Sequence, residues 1–293
     1  MTPAAPALRQ RAEQLASTLP PLQVAAERIA TTVTQGVHGR RRVGQGETFW
    51  QFRRYEPGDS PNKIDWRQSA KSQPIFVRET EWAAAQSIWL WRDGSSSMGY
   101  RSSGELPEKL ERANLITMAL AALLIRGGER IALLGSPRRP SSGQSALNHL
   151  ALELMRPAAE RDSLPAVLPL PRHANLVLIG DFLSPLPEIN ALVHGYAEEG
   201  VNGHILQLID PAEETLPFAG RVQFEGMEGE GETLMSRVET VRDDYAKRFA
   251  SHHQGLRDLA RAVGWSCAQT RTDRAPQAAL LALFLQLDER KRF

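Results

Sequence analysis

From Gln86 onward, short and nearly all-apolar runs alternate with stretches whose apolar residues recur every three or four positions. That alternation restricts the fold more than any other feature. Ser87–Trp91, Arg130–Leu134, Asn175–Gly180, Gly203–Ile209 and Trp265–Ala268 read as strands, with Val222–Phe224 a short edge strand. Pro107–Arg126, Ala146–Arg156, Pro187–Glu199 and Pro276–Arg290 read as helices, and Glu232–Val263 as a long helical stretch broken at Gly255. A strand apolar toward both faces must be covered on both faces. The expected fold is therefore α/β, a mostly parallel, doubly wound sheet.

Residues 1–81 have another texture, and the expected division is an N-terminal α+β segment, 1–81, and a larger domain, 82–293. Leu22–Thr34 reads as a helix, Phe49–Phe52 and Ile75–Val77 as short strands, with the turn signal Glu56-Pro57-Gly58-Asp59-Ser60-Pro61 between them. Five of the six tryptophans stand at 50, 66, 82, 89 and 91. Wide flat rings need much apolar contact, so the segment is expected to pack onto the larger domain.

The charge balance, 35 Lys+Arg against 34 Asp+Glu, argues against a polyanion binder, and no nucleic-acid partner is expected. The lone Cys267 excludes an internal disulfide framework and a multi-cysteine metal site. The longest apolar run, Leu115–Ile125, is too short to span a bilayer. With no secretory leader legible at the N-terminus, the expected location is cytoplasmic.

In an open parallel sheet, ligands bind beyond the carboxyl ends of the strands. Two of those ends carry oxygen chemistry. The first strand runs into Asp93-Gly94-Ser95-Ser96-Ser97-Met98, and the Asn175–Gly180 strand into Asp181. In the Asp-x-Ser-x-Ser spacing, alternate residues of a tight loop turn a carboxylate and two hydroxyls toward one point. With Asp181 they form an all-oxygen set suited to a hard cation such as Mg²⁺ or Mn²⁺, weakly bound. The same residues also serve simply to bond a turn. Arg40–Arg42, the acidic Gly226–Glu232 and the adjacent His252 and His253 read as a solvated loop, a loop preceding a helix, and surface positions.

Asp93-x-Ser95-x-Ser97 at a strand end resembles the metal-ion-dependent adhesion site of von Willebrand factor A domains. Upstream, Phe52-Arg53-Arg54-Tyr55-Glu56-Pro57-Gly58-Asp59, Ile64-Asp65-Trp66 and Val77-Arg78-Glu79 are similar to the signature of a bacterial family catalogued as domain of unknown function fifty-eight. There, an Arg-x-Tyr…Gly-Asp…Ile-Asp-Trp segment precedes an A-type domain. The resemblance implies a von Willebrand factor A-like, Rossmann-type fold. It implies metal ligands at Asp93, Ser95, Ser97 and Asp181. The family's second-loop Thr has no counterpart, and among Ser136, Ser141, Ser142 and Ser145, Ser142 is taken as its replacement. Arg53, Tyr55, Asp59, Asp65 and Trp66 are taken as partner-binding. Two positions depart from the family pattern, Asn62 and Arg92, and an Arg next to Asp93 could compete for its carboxylate.

The resemblance further implies a metal-dependent protein–protein interaction module, not an enzyme. It would act as adaptor or co-chaperone to a MoxR-type AAA+ ATPase, with the ATPase or its client donating a carboxylate to the metal. P-loop, His-Glu-x-x-His and Gly-x-Ser-x-Gly templates are missing from the sequence. The competing expectation is a Mg-dependent hydrolase or phosphatase using the same Asp/Ser cluster.

Overall fold

The computed structural model describes Gln10 and residues 43–44, 48–56, 59, 64–71, 74–81, 86–156, 163–229 and 231–289. The expected Leu22–Thr34 helix, Arg40–Arg42, Asn62 and Trp82 lie outside these residues. The chain divides into two compact units that meet in sequence at Ala85 and Gln86.

In the smaller unit, β1 (Val43–Gly44), β2 (Thr48–Arg54) and β3 (Phe76–Glu81) form an antiparallel sheet in the order β1-β3-β2. Between β2 and β3 lies the one-turn helix α1 (Trp66–Ser69), capped by the Asp65 carboxylate, which accepts from the Gln68 amide at 2.9 Å. Trp66, expected as a buried anchor, is 67% exposed.

The larger unit is α/β with a central five-stranded parallel sheet. In chain order its elements are β4 (Ser87–Arg92), α2 (Lys109–Arg126), β5 (Arg130–Leu133), α3 (Gly143–Leu154) and β6 (Asn175–Gly180). Next come α4 (Leu186–Glu198), β7 (Asn202–Ile209), α5 (Pro211–Thr215), β8 (Val222–Glu225) and β9 (Glu232–Met235). The chain continues through α6 (Arg242–Ala262), β10 (Ser266–Arg271) and α7 (Pro276–Glu289). The sheet order is β10-β7-β6-β4-β5, all neighbours parallel.

Strand alternation divides the core in two. Ile88, Leu90, Val177, Ile179, Leu206 and Leu208 face the layer of α2, α3 and α7. Leu176, Leu178 and Ile205 face the layer of α4 and α6. Trp89 and Trp91 join this second layer as half-buried residues, and the Trp91 ring lies 6.2 Å from Phe182.

Two expectations are corrected. The stretch read as one helix from Glu232 opens as β9, paired antiparallel with β8 in a hairpin whose last rung joins Glu225 to Glu232. Pairing with β8, which brings the strand formers Val222 and Phe224, outweighs the weak helical pattern there. Gly255 does not break α6, which runs through it. A Cβ at that position would come within 2.6 Å of Leu186 Cδ1, so the glycine serves the close contact of α6 with α4.

Gly203 in β7 has a more severe version of the same role. The Trp265 indole covers it, and a Cβ would fall 2.0 Å from ring carbons, while the indole nitrogen donates to Val201 O at 3.1 Å. Gly203→Ala must therefore move the indole and its bond. The expected loss is at least the roughly 1–3 kcal/mol typical of overpacking, read as a lower urea midpoint with unchanged slope.

Candidate functional site at the carboxyl edge of the sheet

Backbone pairing brings the two carboxylates together. β4 and β6 are adjacent and in register at Arg92 and Ile179, and the Asp93 amide continues the ladder to Ile179 O at 2.8 Å. Asp93 therefore sits alongside Gly180, one residue before Asp181. Only glycine allows this approach, because a Cβ on residue 180 would lie 2.8 Å from Asp93 Cβ.

Asp93 is fully buried. Its Oδ1 accepts the Ser95 amide at 2.8 Å, and its buried Oδ2 has no hydrogen-bond partner among the described residues. Burial first, and then the neighbouring Asp181 charge, push its pKa up to about 7 against the Ser95 hydrogen bonds. The hydroxyls of Ser95 and Ser97 are 3.1 Å apart, and Ser97 Oγ donates to Asp181 Oδ2 at 2.7 Å. The sequence-predicted Asp93, Ser95, Ser97 and Asp181 thus converge.

Sequence reading missed the group that completes the cluster. Lys109, the first residue of α2, is wholly buried, and its Nζ donates to Asp181 Oδ2 at 2.8 Å and to Glu213 Oε1 at 2.5 Å. The Tyr100 ring lies 6.0 Å from the same nitrogen. Burial pulls the ammonium pKa down, but Asp181 and Glu213 outweigh it and hold the pKa above its usual value. Glu213 is fixed by a capping box. Its Oε2 accepts the Asp210 amide at 2.7 Å, while Asp210 Oδ1 accepts the Ala212 amide at 2.8 Å. One signal was available in the sequence, since a cation in the first turn of a helix opposes the dipole and needs a compensating partner.

The segment carrying Asp181 is held from behind. Gln207 Nε2 donates to Asp181 O at 2.9 Å, and His253 Nδ1 lies 2.6 Å from Gln207 Oε1. His252 Nε2 lies 2.8 Å from the carbonyl of Phe182, a buried residue in the left-handed region at φ 49°. A non-glycine residue there stores roughly 1–3 kcal/mol of strain, which the surrounding bonds must hold. The two histidines, expected at the surface, are instead half-buried supports.

Three further expectations resolve differently. Arg92 does not compete for the Asp93 carboxylate. Its guanidinium donates to Asp93 O at 3.3 Å and to Leu154 O at 3.1 Å, the latter at the end of α3 where a cation is favoured. Ser142 is not brought to the site. Ser141 pairs with Ile131, near the start of β5, so Ser142 lies beside the outer edge of that strand, where it lines a separate cavity of about 370 Å³. The residues taken as partner-binding mostly hold one another: Arg53 Nη2 bonds Asp59 Oδ1 at 2.8 Å, Tyr55 OH donates to Asp59 O at 3.3 Å, and Asp65 caps α1. Of the five, Trp66 is the one strongly presented to solvent.

The donor set fits a divalent ion poorly. A carboxylate oxygen has two lone-pair sites, and both sites of Asp181 Oδ2 are taken, by Ser97 and Lys109. Its Oδ1 accepts the Leu183 amide at 3.3 Å. Asp93 Oδ2, one lone pair of Asp181 Oδ1 and the serine hydroxyls remain, so of the two carboxylates one oxygen alone is fully open to an ion that binds through carboxylate oxygens. Among the described residues, no three His, Cys, Asp or Glu are grouped to hold a metal.

The profile of the family described as "Protein of unknown function DUF58" matches residues 51–255. The uncharacterised protein Rv1480 of Mycobacterium tuberculosis is 26% identical over 276 residues, 89% of this chain and 86% of that protein. Among solved structures, an aerotolerance-related membrane protein of Bacteroides fragilis aligns with 70% of this chain and 100% of its own, at 13% identity and a TM-score of 0.43. BatB of Bacteroides thetaiotaomicron aligns with 71% of this chain and 100% of its own, at 14% identity and a TM-score of 0.36. Likenesses this low carry no argument about function. The cytoplasmic placement expected from the sequence is withdrawn, since the aligned solved chains include proteins described as membrane proteins, and no compartment is put in its place. Among the described residues no helix is long and apolar enough to cross a membrane, and that fact assigns no compartment.

The raised Asp93 pKa has a direct consequence. A carboxyl of pKa 3.8 when unfolded and about 7 when folded favours the folded state most at low pH, and that contribution is lost as pH rises through 7. In metal-free buffer, melting of wild type and Asp93→Asn should diverge in favour of the variant between about pH 4 and about pH 8. The ceiling is on the order of 4 kcal/mol, at ~1.4 kcal/mol per unit of pKa. A gap that narrows with rising pH would show that Asp93 is charged and well paired in the fold.

Proposed function

The chain belongs to the DUF58 family, and on that premise we propose that it is a protein–protein interaction module of the von Willebrand factor A kind. It meets its partner at the carboxyl edge of the sheet. The observation that carries this reading is the convergence of Asp93, Ser95, Ser97 and Asp181 beyond two adjacent parallel strands. Ser96 stands exposed at the tip of that loop. Beside it, a cavity of about 500 Å³ is lined by Trp91, Gly94, Leu134 and Leu154, with Arg92 and Arg156 among its walls. A partner's side chains thus have both a polar contact point and an adjoining recess. The partner to test is the one the family resemblance implies, a MoxR-type AAA+ ATPase or its client.

The hydrolase reading has less support. A general base must reach the reacting group or its water. Lys109 is held protonated by two carboxylates, while His252 and His253 bond to Phe182 O and Gln207. His204 Nδ1 lies 2.8 Å from Ser266 Oγ, at the opposite end of the strands, and His194 faces Asn190 O within α4.

Binding of the full-length chain to the MoxR-type ATPase of the same organism, followed by calorimetry, tests the proposal. Ser96→Arg, a substitution at an exposed loop position, should weaken binding at least about tenfold, or ~1.4 kcal/mol, with melting unchanged. Equal affinity of Ser96→Arg and wild type would move the contact surface away from this edge. Turnover of generic phosphate or ester substrates, abolished by Asp93→Ala, would favour the hydrolase instead.

A further inference from the structure

We infer that the resident cation of this site is the ammonium of Lys109, and that the site is assembled without a bound metal. This concerns the same residues as the proposed function but does not depend on any partner. The placement of Lys109 is unfavourable in isolation. A long, flexible side chain is fully buried, its charge is removed from water, and it lies in the first turn of an 18-residue helix, where the peptide dipoles repel a cation. Such a charge persists in a fold only when well-placed opposite charges hold it.

Those charges come from separate strand ends. Asp181 follows β6 and Glu213 follows β7 by way of the Asp210 capping box. Ser97, from the loop after β4, shares Asp181 Oδ2 with Lys109. One nitrogen therefore organises loops from three parallel strands, which is the task a divalent ion at this edge would perform. With Ser97 it fills both lone pairs of Asp181 Oδ2, and a second cation placed against that carboxylate would meet the ammonium at close range. Asp93, held by the Ser95 amide and the backbone ladder, reaches its position without help from an ion.

The test uses full-length protein stripped of metal. Titration with Mn²⁺, followed by electron paramagnetic resonance, should show no stoichiometric binding up to millimolar metal, and melting should be the same in EDTA and in millimolar Mg²⁺. Lys109→Ala removes the ammonium and leaves Asp181 and Glu213 facing one another. It should melt well below wild type, bind Mn²⁺, and recover part of the loss when Mg²⁺ is added, a response that simple loss of packing would not give. Stoichiometric binding of Mn²⁺ by wild type, lost in Ser97→Ala, would overturn the inference. So would a Lys109→Ala protein that melts like wild type. The wild-type titration decides by itself if Lys109→Ala does not fold. A wild type that binds Mn²⁺ refutes the resident ammonium and leaves the interaction reading intact, whereas an indifferent Ser96→Arg does the reverse.

Discussion

Everything at the carboxyl edge depends on the parallel pairing of β4 with β6. Neighbouring parallel strands end at the same level, so residues just beyond them are delivered side by side regardless of their distance in sequence. Asp93 and Asp181 are 88 positions apart, yet a single extra rung from Asp93 to Ile179 sets their separation. The absent side chain of Gly180 is part of the same constraint. Two carboxylates forced together by backbone geometry must be neutralised by a proton, a hydrogen bond or a cation, and the fold supplies all three kinds of relief. Burial raises the pKa of Asp93, Ser97 donates to Asp181, and Lys109 brings a permanent charge.

That arrangement is stiffened from several directions. Gln207 in β7, His252 and His253 on α6, and the left-handed Phe182 all fix the segment bearing Asp181. Ser102 N donates to Asp210 Oδ2 at 3.0 Å, tying the chain after the first loop to the end of β7. Side chains held by such supports keep their geometry without a ligand, which is the property an interaction site needs to limit the entropy lost on binding.

The sheet was legible because its strands are apolar toward both faces, a pattern that few architectures besides a covered parallel sheet produce. Asp-x-Ser-x-Ser and Asp181 were legible for a related reason, since a strand end is where a parallel sheet binds ligands. Of the β8–β9 hairpin only β8 was legible, as the edge strand Val222–Phe224, because Glu232–Met235 is largely exposed and lacks the alternation of a half-buried strand. Lys109 was hidden for a different reason. Its partners, Asp181 and Glu213, lie 72 and 104 residues away in sequence, and only the tertiary fold shows that a lysine opening an apolar helix is an internal ion. The choice of Ser142 failed because sequence proximity to the end of β5 does not say that the chain doubles back to pair Ser141 with Ile131.

That return of the chain has an effect on association as well. An outermost strand exposes a row of amides and carbonyls on which another sheet can build. β5 is outermost, but it is four residues long, and both backbone groups of Ile131 are engaged by Ser141, at 2.8 and 2.9 Å. Leu133 O accepts the Ser136 amide at 3.1 Å, and the Arg130 guanidinium bonds Pro140 O at 2.8 Å. The serine- and proline-rich connection thus acts as a short blunt hem along the sheet. It leaves the edge with little open backbone for a foreign strand, so contacts with other proteins are directed away from strand addition and toward side chains.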